Sequence, residues 1–334
     1  MSLLETLEQK ARLHPKRVVF PECDNEMILK AAAEVVARKI GQPVLIGNSE
    51  SISARAVELG ISTEAFSFFN NSNEQQLEEL ADEYTARFDE LSRKAVLRKA
   101  KDPVNCAMLL VKTGRADCAA AGREYTTAEV IVAAQSIIGM QESFSSISSL
   151  GIVNVPGFEG PEGQLLAIAD CAVNAAPDAD ELADIAISSG YTVKTLLGWE
   201  PRIAMLSFST CGSTEHESID VIRKAIDIVH GRVPDLKIDG EFQLDAAISP
   251  GVAANKVKRE SDVAGKANVL IFPNLHAGNI GVKLIQLFGK ADAYGPVLQG
   301  FAQPICDFSR SAPLSEMMGN IIMLIVRAQH GKEL

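Results

Sequence analysis

The 334-residue chain has one tryptophan, 5% aromatic residues and too little positive charge to balance its acids. Its 32 lysines and arginines face 43 aspartates and glutamates, a formal net charge of −11. A surface that negative argues against nucleic acid or an anionic membrane as partner. Long apolar runs are also missing. The longest near the C-terminus, IIMLIV, falls far short of the ~20 residues that cross a bilayer. The N-terminal MSLLETLEQKARLHPKR is charged and helical where a secretory leader has an apolar core. The six cysteines (Cys23, Cys106, Cys118, Cys171, Cys211, Cys306) form no CxxC and no Cys/His zinc spacing, which fits small residues in a reducing cytosol. No GxGxxG follows the first strand pattern and no GxxxxGK[ST] occurs, so the dinucleotide and P-loop fingerprints are absent. The histidines, at 14, 216, 230, 276 and 330, never fall at helical ligand spacing. A cytoplasmic protein with no metal is the expectation.

What is present is a globular composition, 47% apolar and 22% charged, on a chain long enough for about two domains. Short β-rich runs alternate with longer helical patterns. RVVFPE (17–22) reads as a strand and MILKAAAEVVARKI as a helix. QPVLIGN reads as a strand, and helix fills much of 74–100. ADCAAAG (116–122) is a small-residue strand leading into a helix near Thr127. RIAMLSFST, FQLDAAI and NVLIFPNL follow as further short runs, with helices through 216–231 and 279–289. That rhythm predicts an α/β fold with a largely parallel sheet. No repeat or flexible linker separates its parts.

In open α/β sheets, ligands bind where strands end and loops lead into helices. Four such junctions stand out: REYTTAE (123–129) with Arg123 and Thr127, SFSTCGSTEH (207–216) with Ser209 and Thr210, FPNLHAGNIG (272–281) with Asn279, and QPICDFSRSAPLSEM (303–317). Backbone N–H groups at such junctions hold anionic oxygens, although ordinary caps and turns have the same composition. In the last junction, PLSEMMGNIIMLIVRA places apolar residues at 314, 317, 318, 321, 325 and 328, a buried helical stripe. Glu316 projects off that stripe, toward a face shared with Asn320 and Arg327. Ser309, Arg310 and Glu316 would then offer a hydroxyl donor, a fork for phosphate oxygens and a carboxylate able to take a proton. A serine cap, a surface arginine and a glutamate favoured by the helix dipole would read the same.

Several longer stretches carry a resemblance: RVVFPE with DNEMILKAA, IADCAVNAAPDADELADIAI, EPRIAMLSFSTCGS, DLKIDGEFQLDAA, GKANVLIFPNLHAGNIGVKL and AYGPVLQGFAQPICDFSR. In this order, nearly end to end, the chain is similar to the phosphate acetyltransferases (phosphotransacetylases) of the phosphate acetyl/butyryl transferase family. The resemblance implies two α/β domains of the isocitrate/isopropylmalate dehydrogenase-like type with an interdomain active-site cleft, and commonly a homodimer. We place the first domain at 1–147 plus 299–334 and the second at 148–298. It also implies reversible transfer of an acetyl or other short acyl group between CoA and phosphate in a ternary complex, without metal. CoA enters as substrate rather than cofactor, and the partners are acyl-CoA, phosphate and acyl phosphate.

On the family's DxSR motif, Ser309 would stabilise the tetrahedral species and Arg310 would hold phosphate. Glu316 would help deprotonate the thiol, where aspartate is usual, and a family arginine falls nearest Arg87. The departures are mostly lost cations: Met27, Val132 and Cys211 stand where the family carries arginine, arginine and lysine. Arg123, new to its loop, is the expected substitute for the arginine lost at 132. The alternative is a catalytically weakened member that acts as a binding or regulatory subunit. An oxidoreductase on the same fold would need clustered metal-binding aspartates, and none is evident.

Overall fold

The structure, a computed structural model, describes residues 2–142 and 144–330. The chain runs through α1 (Leu3–Leu13), β1 (Lys16–Phe20), α2 (Glu26–Ala37), β2 (Gly41–Ile46), α3 (Ser49–Glu58), β3 (Ser67–Phe69), α4 (Glu74–Thr85), α5 (Arg93–Lys99), α6 (Pro103–Lys112), β4 (Cys118–Ala121) and α7 (Thr127–Ile137). It continues through β5 (Ser148–Asn154), β6 (Leu165–Ala169), α8 (Ala179–Leu197), β7 (Arg202–Leu206), α9 (Glu217–Arg232), β8 (Lys237–Phe242), α10 (Leu244–Ile248), α11 (Pro250–Lys256) and β9 (Val269–Ile271). It ends with α12 (Leu275–Phe288), β10 (Asp292–Gln299), β11 (Ile305–Asp307) and α13 (Leu314–Gln329). Two compact units result, residues 1–141 with 301–333 and residues 142–300.

The first unit is built on a parallel sheet of order β11-β4-β1-β2-β3. Its central strands are continuous apolar runs, as a sheet covered on both faces requires. Val18, Val19 and Phe20 of β1 and all of β4 are buried. Helix starts are written into the sequence as short polar side chains. Asn25 accepts from the Met27 N–H at 3.0 Å, Asn48 from Ser51 at 2.9 Å and Asp102 from Asn105 at 2.9 Å, each satisfying an otherwise unpaired donor. α13 packs against α1, α2 and the strands β1, β4 and β11. The expected stripe holds, with Met317, Met318, Ile321, Ile325 and Ala328 buried, yet burial extends almost all round the helix. Asn320 is buried while Glu316, one turn earlier, is exposed, because α13 enters the core after its first turn.

The second unit carries a mixed sheet of order β10-β5-β6-β9-β7-β8. β6, β9, β7 and β8 are parallel, whereas β5 runs antiparallel to both β6 and β10. Two expectations shift here. FQLDAAI is not one β run: β8 ends at Phe242 and Leu244–Ile248 is helical, the usual ambiguity of a short apolar run. The helix expected from 279 starts at Leu275, because Asn274 caps it by accepting from the Ala277 N–H at 3.0 Å. Among the described residues no helix is long and apolar enough to cross a membrane.

Candidate functional site

In the first unit the carboxyl ends of the neighbouring strands β1, β4 and β11 lie side by side, and three loops leave from them. The loop after β11 turns through Ser309 and Arg310 into α13. Both residues are exposed, with the Ser309 and Ser311 hydroxyls 3.2 Å apart. Arg310 forms no hydrogen bond or ion pair with the described residues. Its charge still reaches Glu129, whose carboxyl is held below the usual range first by the Thr126 N–H and hydroxyl and then by Arg310. Glu316 stands exposed in the first turn of α13.

The loop after β4 is fastened to that turn from beneath. Arg123 Nη1 donates to the carbonyls of Ser309 and Ala312, both at 3.2 Å. The Thr127 hydroxyl donates to Asp307 at 2.5 Å. Gly122, at φ 106°, lies so close that a Cβ there would sit 2.2 Å from Asp307 Oδ1 and 2.7 Å from the Phe308 nitrogen. Asp307 is buried, and burial pushes its carboxyl up to about 6; the Thr127 hydroxyl opposes that shift and nearby Glu22 adds to it. Glu22, at the end of β1, is buried too. Its Oε1 accepts from the N–H groups of Gly122 at 3.2 Å, Glu124 at 2.7 Å and Tyr125 at 3.1 Å.

Beside this turn, α7 walls a cavity of about 410 Å³ lined by Lys99, Asn105, Tyr125, Glu129, Val132 and Ser136, among others. Val132 is 62% exposed. Lys99, whose ammonium lies 3.2 Å from the Ser136 hydroxyl, is the one cation among the described residues that line the cavity.

In the second unit a carboxylate again organises two of the loops at the strand ends. Asp170, after β6, accepts from the Ser149 N–H and from the N–H groups of Ala172, Val173 and Asn174. Gly278 of α12 packs on this loop; a Cβ there would lie 2.2 Å from the Asp170 carbonyl oxygen. Glu241, on β8, accepts from the Ser209 hydroxyl at 2.8 Å, the Gly212 N–H at 2.8 Å and the Arg223 guanidinium at 3.0 Å. Burial works to raise the Glu241 carboxyl, but Arg223 and the backbone N–H donors outweigh it and hold it down at about 2.

Of the residues singled out from sequence, the first unit brings Ser309, Arg310, Arg123 and Thr127 to one edge of its sheet, with Glu316 on the following helix. Arg87 is not with them. It donates to the Thr113 carbonyl at 2.6 Å, at the C-terminal cap of α6, where the chain is about to start β4 rather than leave it. In the second unit Ser209 and Thr210 are buried and their hydroxyls are committed, Thr210 accepting from the Gln243 N–H at 2.9 Å. Asn279 is exposed on the first turns of α12 and donates to the Cys171 carbonyl at 3.2 Å. Arg123 Nη1 serves two backbone carbonyls of the following loop. Sequence reasoning missed Glu22 and Glu241. Each sits at the end of a strand, and each has partners distant in the chain.

The sequence profile of the phosphate acetyl/butaryl transferase family matches residues 2–325. A phosphate acetyltransferase from Thermoanaerobacterium thermosaccharolyticum is 41% identical over 335 residues, covering 98% of this chain and 100% of that protein. Among solved structures, a phosphotransacetylase from Streptococcus pyogenes superposes with a TM-score of 0.90 at 32% identity, covering 99% of this chain and 100% of that one. A 4-hydroxythreonine-4-phosphate dehydrogenase from Klebsiella pneumoniae matches with a TM-score of 0.52 at 11% identity over 94% of this chain and 99% of that one, a likeness of fold alone.

Proposed function

The chain belongs to the phosphate acetyl/butaryl transferase family, and from that membership and the Ser309–Arg310 turn we propose that it transfers an acetyl group reversibly between CoA and inorganic phosphate. One observation carries the reading at the level of residues: Arg310 is an exposed guanidinium, unpaired among the described residues, beside a serine hydroxyl at the carboxyl end of a parallel strand. A planar fork of this kind matches the oxygens of phosphate. In the direction of acetyl phosphate synthesis, a phosphate oxygen held by Arg310 attacks the thioester carbonyl. The C–O bond forms, the carbonyl oxygen takes up negative charge and the Ser309 hydroxyl donates to it. The C–S bond then breaks, and the sulfur leaves as thiolate or takes a proton from Glu316. In reverse, Glu316 accepts the thiol proton before sulfur attacks acetyl phosphate.

Thr127 and Arg123 fix the turn from below, and in the second unit Asn279 is exposed at the start of α12. Ser209 and Thr210 shape their loop, and Arg87 is set aside as a packing residue. CoA is a substrate here. All six cysteines are free thiols, in keeping with a reducing compartment such as the cytoplasm. α12 exposes Ile280, Leu284, Leu287 and Phe288 on one face, and we assign a second copy of the chain to cover it. The deciding experiment is thiol release from acetyl-, propionyl- and butyryl-CoA with and without phosphate. Release that requires phosphate, and is fastest with acetyl-CoA, is expected. Absence of phosphate-dependent release with all three would overturn the proposal.

A further inference from the structure

The Ser309–Arg310 turn sits at the end of a relay that begins at a residue remote from it in sequence. Glu22 Oε1 gathers three N–H groups, from Gly122, Glu124 and Tyr125, and so fixes the path of the loop on both sides of Arg123. Arg123 in turn reaches across to the next loop and ties together the carbonyls of Ser309 and Ala312, the first and last links of the turn. Three atoms in this arrangement are buried without a hydrogen-bond partner: Glu22 Oε2, Asp307 Oδ1 and Arg123 Nε. Buried polar atoms left unpaired are costly, on the order of 1–3 kcal/mol each, and they concentrate where function constrains the packing. Arg123 also has no carboxylate partner among the described residues, so its charge is not neutralised.

We propose that Glu22 is the positioning residue of the Ser309–Arg310 turn, acting through the 122–125 loop it anchors and through Arg123, which that loop carries to the turn. The inference rests on the reading of that turn as the acyl-transfer site. Glu22 need not touch substrate. A carboxylate accepting several N–H bonds holds a loop more firmly than a neutral acceptor, because the bonds are charge-assisted. If the loop relaxes, Arg123 loses its reach, and Ser309 drifts from where the oxyanion develops.

The test is steady-state kinetics of phosphate-dependent thiol release by the full chain, with wild type, E22A, E22Q, R123A, R123K and the E22A/R123A double variant. E22A is expected to lower kcat by about tenfold to 100-fold, the scale on which small misplacements act, while KM for acetyl-CoA changes less than about threefold. E22Q keeps an acceptor without the charge and recovers part of that loss. R123A matches E22A, and the double variant is no worse than the lower single, because both act through one chain of contacts. R123K, whose single ammonium can still donate to both carbonyls as Nη1 does, recovers part of the loss. Should E22A fail to fold, E22Q, alone and combined with R123A, carries the test, because it weakens the three bonds while keeping the side chain's size. Wild-type kcat in E22A or R123A, additive losses in the double variant, or an effect on KM alone would each overturn the relay. Failure of the functional reading looks different: wild type itself would release no thiol in response to phosphate.

Discussion

The Thr127 hydroxyl donates to the Asp307 carboxyl at 2.5 Å, joining the first residue of α7 to the last residue of β11. The other Asp307 oxygen is buried without a partner, and the group titrates near 6 rather than near the usual ~3.9. A carboxyl raised in this way holds its proton more tightly folded than unfolded. Its contribution to stability is therefore greatest in acid and declines as pH rises from about 4 to about 6, by on the order of 3 kcal/mol for a shift of this size. Asp307→Asn removes the titration and keeps an acceptor for Thr127. Urea unfolding at pH 4.5 and pH 8 is expected to show Asp307→Asn gaining on wild type at pH 8. An identical difference at both pH values would rule this out.

The two exposed residues of the turn should separate kinetically. Ser309→Ala removes a donor aimed at charge that exists only in the transition state, so kcat is expected to fall about 10²–10³-fold with KM little changed. Arg310→Ala removes a charge-assisted fork from bound phosphate and should mainly damage its use. Initial rates with phosphate and acetyl-CoA varied independently decide the matter. A Ser309→Ala enzyme that differs only in KM would remove serine from the oxyanion role.

Gly122 offers a steric test of the same joint. A methyl group there would meet Asp307 Oδ1 at 2.2 Å and the Phe308 backbone at 2.7–2.8 Å, on a residue whose φ is 106°. Gly122→Ala should cost at least about 2 kcal/mol from left-handed strain and overpacking together. It should also lower kcat, since the displaced strand end leads directly into Ser309. Stability and kcat both at wild-type values would mean that the two loops are not in close contact.

Much of the first unit could be read from sequence because its signals are local. The amphipathic run after Asn25 and the apolar stripe of α13 each announce a helix through residues a few positions apart. The DxSR stretch was legible through resemblance, and its chemistry through residue type. The supports of the turn were not legible. Glu22 finds its N–H partners 100 to 103 residues on, and nothing local distinguishes it from a solvated glutamate after a strand. Asn320 was assigned to an open face because helical spacing places it over Glu316, and spacing cannot tell where a helix enters the core. The antiparallel strands β5 and β10 pair across nearly 140 residues of chain, from Asn154 to Asp292, which no periodicity encodes.

The face of α12 carries its own prediction. Ile280, Leu284, Leu287 and Phe288 recur at the spacing of one helical side, and Phe288 is 80% exposed. A chain of 35.8 kDa that hides this face in a symmetric pair should sediment at twice that mass. Leu287→Glu with Phe288→Glu should then yield monomer, because like charges buried in an apolar interface have no partner there. An unchanged sedimentation profile would mean that some other surface makes the contact.

Val132 opens into a cavity at the position where the resemblance implies an arginine, and Arg123 is occupied with two backbone carbonyls. Lys99, on the rim of the same cavity, bonds the Ser136 hydroxyl at 3.2 Å and, among the described residues, no carboxylate, although Asp102 and Glu129 also line the cavity. CoA carries several phosphate groups, so a single flexible ammonium here should aid its binding more than the chemical step. Lys99→Met should raise KM for acetyl-CoA by about tenfold, about 1.4 kcal/mol, with kcat nearly intact. Val132→Arg in the Lys99→Met background should recover part of the loss, since it returns a cation to the same wall. The measurement is KM for acetyl-CoA at two ionic strengths, because a charge contact near the surface weakens as salt rises. If Lys99→Met binds acetyl-CoA as wild type does at both, the cavity does not receive the phosphates of CoA.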